Sequence, residues 1–157
     1  SSSSAASDVY KRQGFNLYGK DVPSYEELLA RRDRFLESHP NTTVIACHLS
    51  NQGNDLQTLA GVLDRFPNLY LDISARDYEI GRQPRTAAAF MQKYRERLLF
   101  GTDMGREQHM YEGWWRLLES QDEFIPGRLW WRLYGLGLPD DVVKALYQDN
   151  ARRVLKM

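Results

Sequence analysis

The sequence predicts an α/β fold built on parallel strands, and three observations carry the prediction. Short apolar runs rich in β-branched residues end in polar residues at His48, Ser74 and Thr102-Asp103. Stretches with helical apolar spacing lie between those runs. Helix and strand then alternate at a spacing that suits helical crossovers between parallel strands.

The elements come in order along the chain. Pro23-Ser24 opens a helix, and Glu27 stands where a capping box needs it. Tyr25, Leu28, Leu29, Phe35 and Leu36 fall on one helical face, and Pro40 ends the helix. Thr43 to Cys47 reads as a buried strand ending at His48. A polar stretch, Ser50 to Asn54, leads to a helix over about 55–65, with Leu56, Leu59, Ala60, Leu63 and Phe66 inward. Pro67-Asn68 turns the chain into a second strand, Leu69 to Ile73. A polar loop, Ser74 to Pro84, precedes a helix over about 86–97 and a third strand, Leu98 to Gly101. Two further helices are expected over about 107–120 and 140–155. The last has Val143, Leu146, Tyr147 and Val154 on one face.

Composition narrows the function classes. The chain has 157 residues, with 21 Lys+Arg against 21 Asp+Glu. A neutral chain has no electrostatic reason to hold nucleic acid or an anionic membrane. No apolar run reaches the roughly 18 residues of a membrane span. One cysteine, Cys47, excludes an intrachain disulfide framework, and with three histidines it cannot build a zinc finger. There is no phosphate-binding glycine loop, no Gly-x-Ser-x-Gly elbow and no His-x-x-x-His pair.

The N-terminal residues stand apart. Ser3 to Gln13 resembles the in-frame translation of a transposon-based sequencing adapter; a flexible Ser/Ala linker is the alternative. Residues 1–13 are therefore expected to be an artefactual, disordered segment with no part in the core. The natural sequence is expected to begin at Gly14.

Ligands of parallel α/β folds bind at the carboxyl ends of the strands. That rule selects His48, the Ser74-Ala75-Arg76 segment and Asp103. A His and an Asp ending different parallel strands can converge on one ion or one water. Each also has an ordinary structural reading: His48 as a hydrogen-bonded strand-end residue, Asp103 as a turn or capping residue. His39 suits a helix C-terminus, and His109 a solvated helix start. Trp114-Trp115 and Trp130-Trp131 could line a pocket, but aromatic pairs at helix spacing read first as packing residues.

Four stretches carry a likeness to a known family. Val44-Ile45-Ala46-Cys47-His48-Leu49, Pro67 to Ser74, Leu99-Phe100-Gly101-Thr102-Asp103 and Asp149-Asn150-Ala151-Arg152-Arg153-Val154-Leu155 resemble, in order and spacing, the amidohydrolase-related family. The resemblance implies strands six to eight of a TIM-like (β/α)8 barrel, with 14–157 as its C-terminal portion. It implies a divalent metal, zinc or manganese, with His48 and Asp103 as both metal-binding and catalytic residues. It also implies that Ser74 to Gln83 faces substrate, with Arg76 as a substrate-binding residue. The family's first-strand His-x-His pair and fifth-strand ligand are absent, and Ser50 stands where many relatives have Gly.

The implied activity is metal-dependent hydrolysis of a small-molecule substrate. The alternatives are a non-oxidative decarboxylase on the same scaffold and a non-catalytic α/β binding module. A cytoplasmic parent able to form homo-oligomers is expected, without nucleic-acid or membrane partners. Cut from a barrel, three strands are expected to leave two bare sheet edges, so the chain alone should associate, bind metal weakly and be catalytically silent.

Overall fold

A computed structural model describes residues 21–103, 107–127 and 130–157. The adapter-like segment 1–13 lies outside the described residues. The chain divides into two units after Phe35.

Helix α1 (Tyr25–Ser38) begins ahead of that boundary. Its capping box is complete: the Glu27 amide donates to Ser24 Oγ at 3.2 Å, and the Ser24 amide donates to Glu27 Oε2 at 2.7 Å. The predicted apolar face is only partly used. Tyr25, Leu28 and Phe35 are about half exposed, and the buried core begins at Leu36.

The second unit, Leu36 onward, is built on a three-stranded parallel sheet of β1 (Val44–Ala46), β2 (Leu69–Asp72) and β3 (Leu98–Leu99), in that spatial order. Val44 lies opposite Leu69, Ala46 opposite Leu71, and Asp72 opposite Leu99. Between β1 and β2 runs α2 (Leu56–Arg65), capped by Asp55, whose Oδ1 accepts from the Thr58 amide at 3.1 Å. Between β2 and β3 come α3 (Asp77–Ile80), a short helix inside the expected loop, and α4 (Pro84–Lys93). Tyr94, just past α4, donates to the Ala60 carbonyl and to Asp64 Oδ1, joining the two crossover segments. Leu59, Leu63, Leu69, Leu71, Ile73, Met91 and Leu98 form the centre of the core.

Helix α5 (Gln108–Glu119) comes after β3, and then a hairpin the sequence did not announce: β4 (Ile125–Pro126) against β5 (Arg132–Leu133). Trp114 packs in the core at 3% exposure, whereas Trp115, Trp130 and Trp131 are exposed, Trp130 at 80%. The packing expected of both tryptophan pairs therefore holds for Trp114 alone.

The chain ends in α6 (Asp140–Lys144), a π-helical turn (Ala145–Asp149) and α7 (Asn150–Leu155). The wide turn has a visible purpose. The Asn150 amide bonds back to the Ala145 carbonyl, one residue beyond the α-helical partner. This frees the Leu146 carbonyl, which accepts from the Phe100 amide at 3.1 Å. The Leu99 carbonyl accepts from Ile73, so Leu98 and Phe100 direct their peptide groups away from β2. Asn150 Nδ2 donates to the Leu98 carbonyl at 2.7 Å. The outer edge of β3 is thus hydrogen-bonded to the terminal helical segment. The expectation of two bare edges is corrected at β3, whose outer edge is taken by the terminal helical segment.

No helix among the described residues is long and apolar enough to cross a membrane.

Candidate metal and water site

All three strands point their carboxyl ends the same way, so the segments that come after them share one rim. That rim is conformationally unusual. After β1, His48, Leu49, Ser50 and Asn51 have φ of 58, 49, 53 and 56°, a full turn in the left-handed region without a glycine. Ala75 after β2 (φ 51°) and Asp103 after β3 (φ 56°) share that conformation. L-residues enter this region at about 1–2 kcal/mol each, and such strain collects at functional sites. Leu49, 0% exposed, anchors the left-handed turn in the core.

The turn delivers the His48 ring beneath the end of β2. Its Nδ1 lies 2.9 Å from the Ser74 carbonyl and 3.0 Å from Ser74 Oγ. Asp72 Oδ1 accepts from the His48 amide at 2.9 Å, the Ser74 amide at 3.0 Å and the Ser74 hydroxyl at 2.5 Å. Burial works to raise the Asp72 carboxyl. The hydrogen bonds from the Ser74 hydroxyl, the His48 amide, the Cys47 side chain and the Ser74 amide outweigh it and hold the carboxyl below the usual range. The Cys47 thiol is pushed up, first by its hydrogen bond to Asp72, then by burial and by the charges of Asp72 and Asp103.

The other face of the imidazole is open. His48 Nε2 lies 3.9 Å from Asp103 Oδ2, with the His48 side chain 30% and the Asp103 side chain 60% exposed. The two residues selected from sequence are brought together at one rim. Their separation is too long for a direct hydrogen bond. Two donors about 2.1 Å from a tetrahedral ion lie roughly 3.4 Å apart, and this pair stands at 3.9 Å. An imidazole nitrogen and a carboxylate oxygen are donors of the right type for zinc or manganese. No group of three or more His, Cys, Asp or Glu among the described residues is placed to hold an ion.

Arg76 comes next in the same rim. Its guanidinium bonds Glu79 Oε1 at 2.7 Å and lies 5.5 Å from the centre of the Tyr78 ring. Arg76 Nε and Glu79 Oε2 are buried without a hydrogen-bond partner. Gly53 leaves the space that Glu79 Oε2 fills: a Cβ there would collide with it. A largely apolar cavity of about 300 Å³ opens between α5 and the hairpin, lined by Met110, Trp114, Ile125 and Leu133 with Asp77 and His109. His109 is exposed and 3.9 Å from Glu107, in keeping with a solvated helix start. His39 bonds Ser38 just past the end of α1.

Asp72 is a site residue that sequence reading passes over, and Ser74 is selected only as the start of a strand-end segment, without its bonds to Asp72 and His48. The available signal was a carboxylate interrupting the apolar run of β2 two residues before a serine, at the same strand end as His48 and Asp103.

The sequence profile of the Amidohydrolase family matches residues 26–157, which include every strand of the sheet, the left-handed turn, Asp103 and the terminal helical segment. A search of curated proteins found no match. A search of solved structures found none either. The profile covers the rim and the sheet that shapes it, and the chain belongs to the amidohydrolase family.

Proposed function

We propose that His48 and Asp103 are two members of the metal and water site of a hydrolase, the other donors coming from strands outside these 157 residues. The observation that supports this is the approach of His48 Nε2 to Asp103 Oδ2, 3.9 Å apart on an open rim. A divalent ion held there supplies Lewis acidity, which acidifies water and polarises a carbonyl oxygen. Asp103, exposed and placed beside the ion's site, accepts the proton of the attacking water at Oδ2. His48 stands across from it and would hold the ion or the water with its Nε2 lone pair, while Asp103 passes the proton on to the departing group as the carbonyl or ester carbon is attacked. Arg76, in the segment after β2, would orient a substrate anion on release from Glu79. The neighbouring apolar cavity has room for the hydrocarbon part of a small molecule.

The test is made on the longer enzyme that carries this segment. Asp103→Ala should lower metal-dependent hydrolysis by about 100-fold or more, and a chelator should abolish it, with activity returning on zinc or manganese. Retention of most turnover by Asp103→Ala, or turnover indifferent to chelator, sinks this reading. Carbon dioxide as a product would replace hydrolysis with decarboxylation at the same site.

A further inference from the structure

We propose that Asp72 is a positioning residue that fixes His48 in the Nδ1–H form and leaves the Nε2 lone pair facing Asp103. The inference deepens the proposed function, since it says which ring nitrogen is available to an ion or a water. Its structural part stands whether or not a metal binds.

The proton placement rests on who can donate. A serine hydroxyl has one proton. In Ser74 that proton is directed to Asp72 Oδ1, 2.5 Å away, in a short charge-assisted bond. Toward His48, 3.0 Å away, Ser74 Oγ then presents only a lone pair. The second neighbour of Nδ1, the Ser74 carbonyl at 2.9 Å, is an acceptor by nature. With two acceptors and, among the described residues, no donor against it, Nδ1 must carry the proton. A neutral imidazole has one N–H, so Nε2 is bare.

Asp72 controls this without touching the ring. It sets the direction of the Ser74 hydroxyl. It also takes the His48 and Ser74 amides on the same oxygen, at 2.9 and 3.0 Å. One carboxylate oxygen therefore fixes both ends of the ring's contact: the backbone that carries the imidazole and the residue that receives its proton. A missing Asp72 would free the hydroxyl to turn its hydrogen toward Nδ1. The proton would then shift to Nε2, where it repels a cation.

The full 157-residue chain, labelled with 15N-histidine, tests this by long-range proton–nitrogen correlation at about pH 8, where an ordinary imidazole is neutral. His48→Gln assigns the signals among the three histidines. The expected spectrum shows His48 as a single Nδ1–H tautomer; an Nε2–H tautomer or an even mixture overturns the proposal. Asp72→Asn, which keeps an acceptor oxygen, should preserve the tautomer, and Asp72→Ala should lose it. An Asp72→Ala protein that folds and stays Nδ1–H removes Asp72 from the role. A second measurement on the unmutated chain needs no variant. The Ser74 hydroxyl proton should exchange slowly and couple to the Asp72 carboxyl carbon; fast exchange overturns the relay. The two claims are read on different samples: the tautomer on this chain, and the metal assignment on the longer enzyme by chelation and return of zinc. A lone Nδ1–H tautomer with turnover indifferent to chelator supports the positioning role while defeating the metal assignment.

Discussion

The two rims of the parallel sheet are built on opposite principles. At the amino ends, side chains close the backbone. Asn68 Nδ2 donates to the carbonyls of His39 and Thr42, and Arg97 to those of Phe66 and Leu69. Asn150 donates to Arg95 and Leu98, and Arg153 to Glu96. None of these loop residues has positive φ. At the carboxyl ends the backbone is strained instead: six of the eight non-glycine residues with positive φ among the described residues sit there. Asp72 ties down the His48 end of the strained turn, and His48 and Asp103 stay partly open to solvent. One rim commits its polar side chains to carbonyls, and the other is the one to which the proposed function assigns the chemistry. This is the division expected of strand ends in α/β barrels, where the carboxyl face is functional and the amino face stabilising.

The sharpest way to break that contrast is at Asn150, 2% exposed. Asn150→Ala strands the Arg95 and Leu98 carbonyls, removes those two bonds and the one Asn150 Oδ1 accepts from Arg153, and should cost about 3 kcal/mol in a urea melt. The His48 signals should stay where they are. A cost under about 1 kcal/mol would mean the clamp is decorative, because each orphaned buried carbonyl alone is worth that much.

Acid should act next, through Asp72 on the strained rim and through Asp64. Tyr94 and Lys93 hold the Asp64 carboxyl below its ordinary range by hydrogen bonds. Both folded-state values lie below the unfolded ones. The stability they contribute is therefore full above about pH 4 and is lost as pH falls through the folded values. Melts between about pH 2 and pH 7 should show this, and Asp72→Asn should flatten part of the acid limb. An unchanged limb in that variant would show that the bonds to Asp72 do not distinguish its charged form.

The smallest effect expected is at Ser50. Glycine there adopts φ of 53° without strain, and a β-branched residue does not. Ser50→Gly should gain about 0.5 kcal/mol and Ser50→Val should lose about 1.5. Melting curves that fail to rank Gly above Ser above Val would show that the turn relaxes when its side chain changes.

Much of the sheet was legible in sequence because its signals are local. Thr43 to Cys47, Leu69 to Ile73 and Leu98 to Gly101 are apolar runs with clear ends, and the strands lie within them. His48 and Asp103 were legible because they stand at those ends. The left-handed turn was not. His-Leu-Ser-Asn contains no glycine, and local preference argues against four such residues in a row. Tertiary bonds from Asp72 and the burial of Leu49 override that preference. The hairpin escaped because each strand is two residues long, too short for alternation to register. The exposed first turns of α1 show the converse limit. Helical spacing was there, but spacing states which residues share a face and not what covers it.

The π-helical turn constrains how sequences of this shape can vary. It is one residue of extra chain wound into a helix, and its five residues cover about the arc that four cover in α-geometry, so Asn150 and Arg153 keep the facing they would have without it. Deleting a single residue within Ala145–Asp149 would restore regular α-geometry. The Leu146 carbonyl would then rejoin the helix's own ladder and be lost to the Phe100 amide on the outer edge of β3. Substitutions in this turn are local events, whereas a change of length is heard at the far end of β3. Relatives that share the Asn-Ala-Arg-Arg run should accordingly hold the residue count between that asparagine and the preceding wide turn invariant, even where the side chains between them drift.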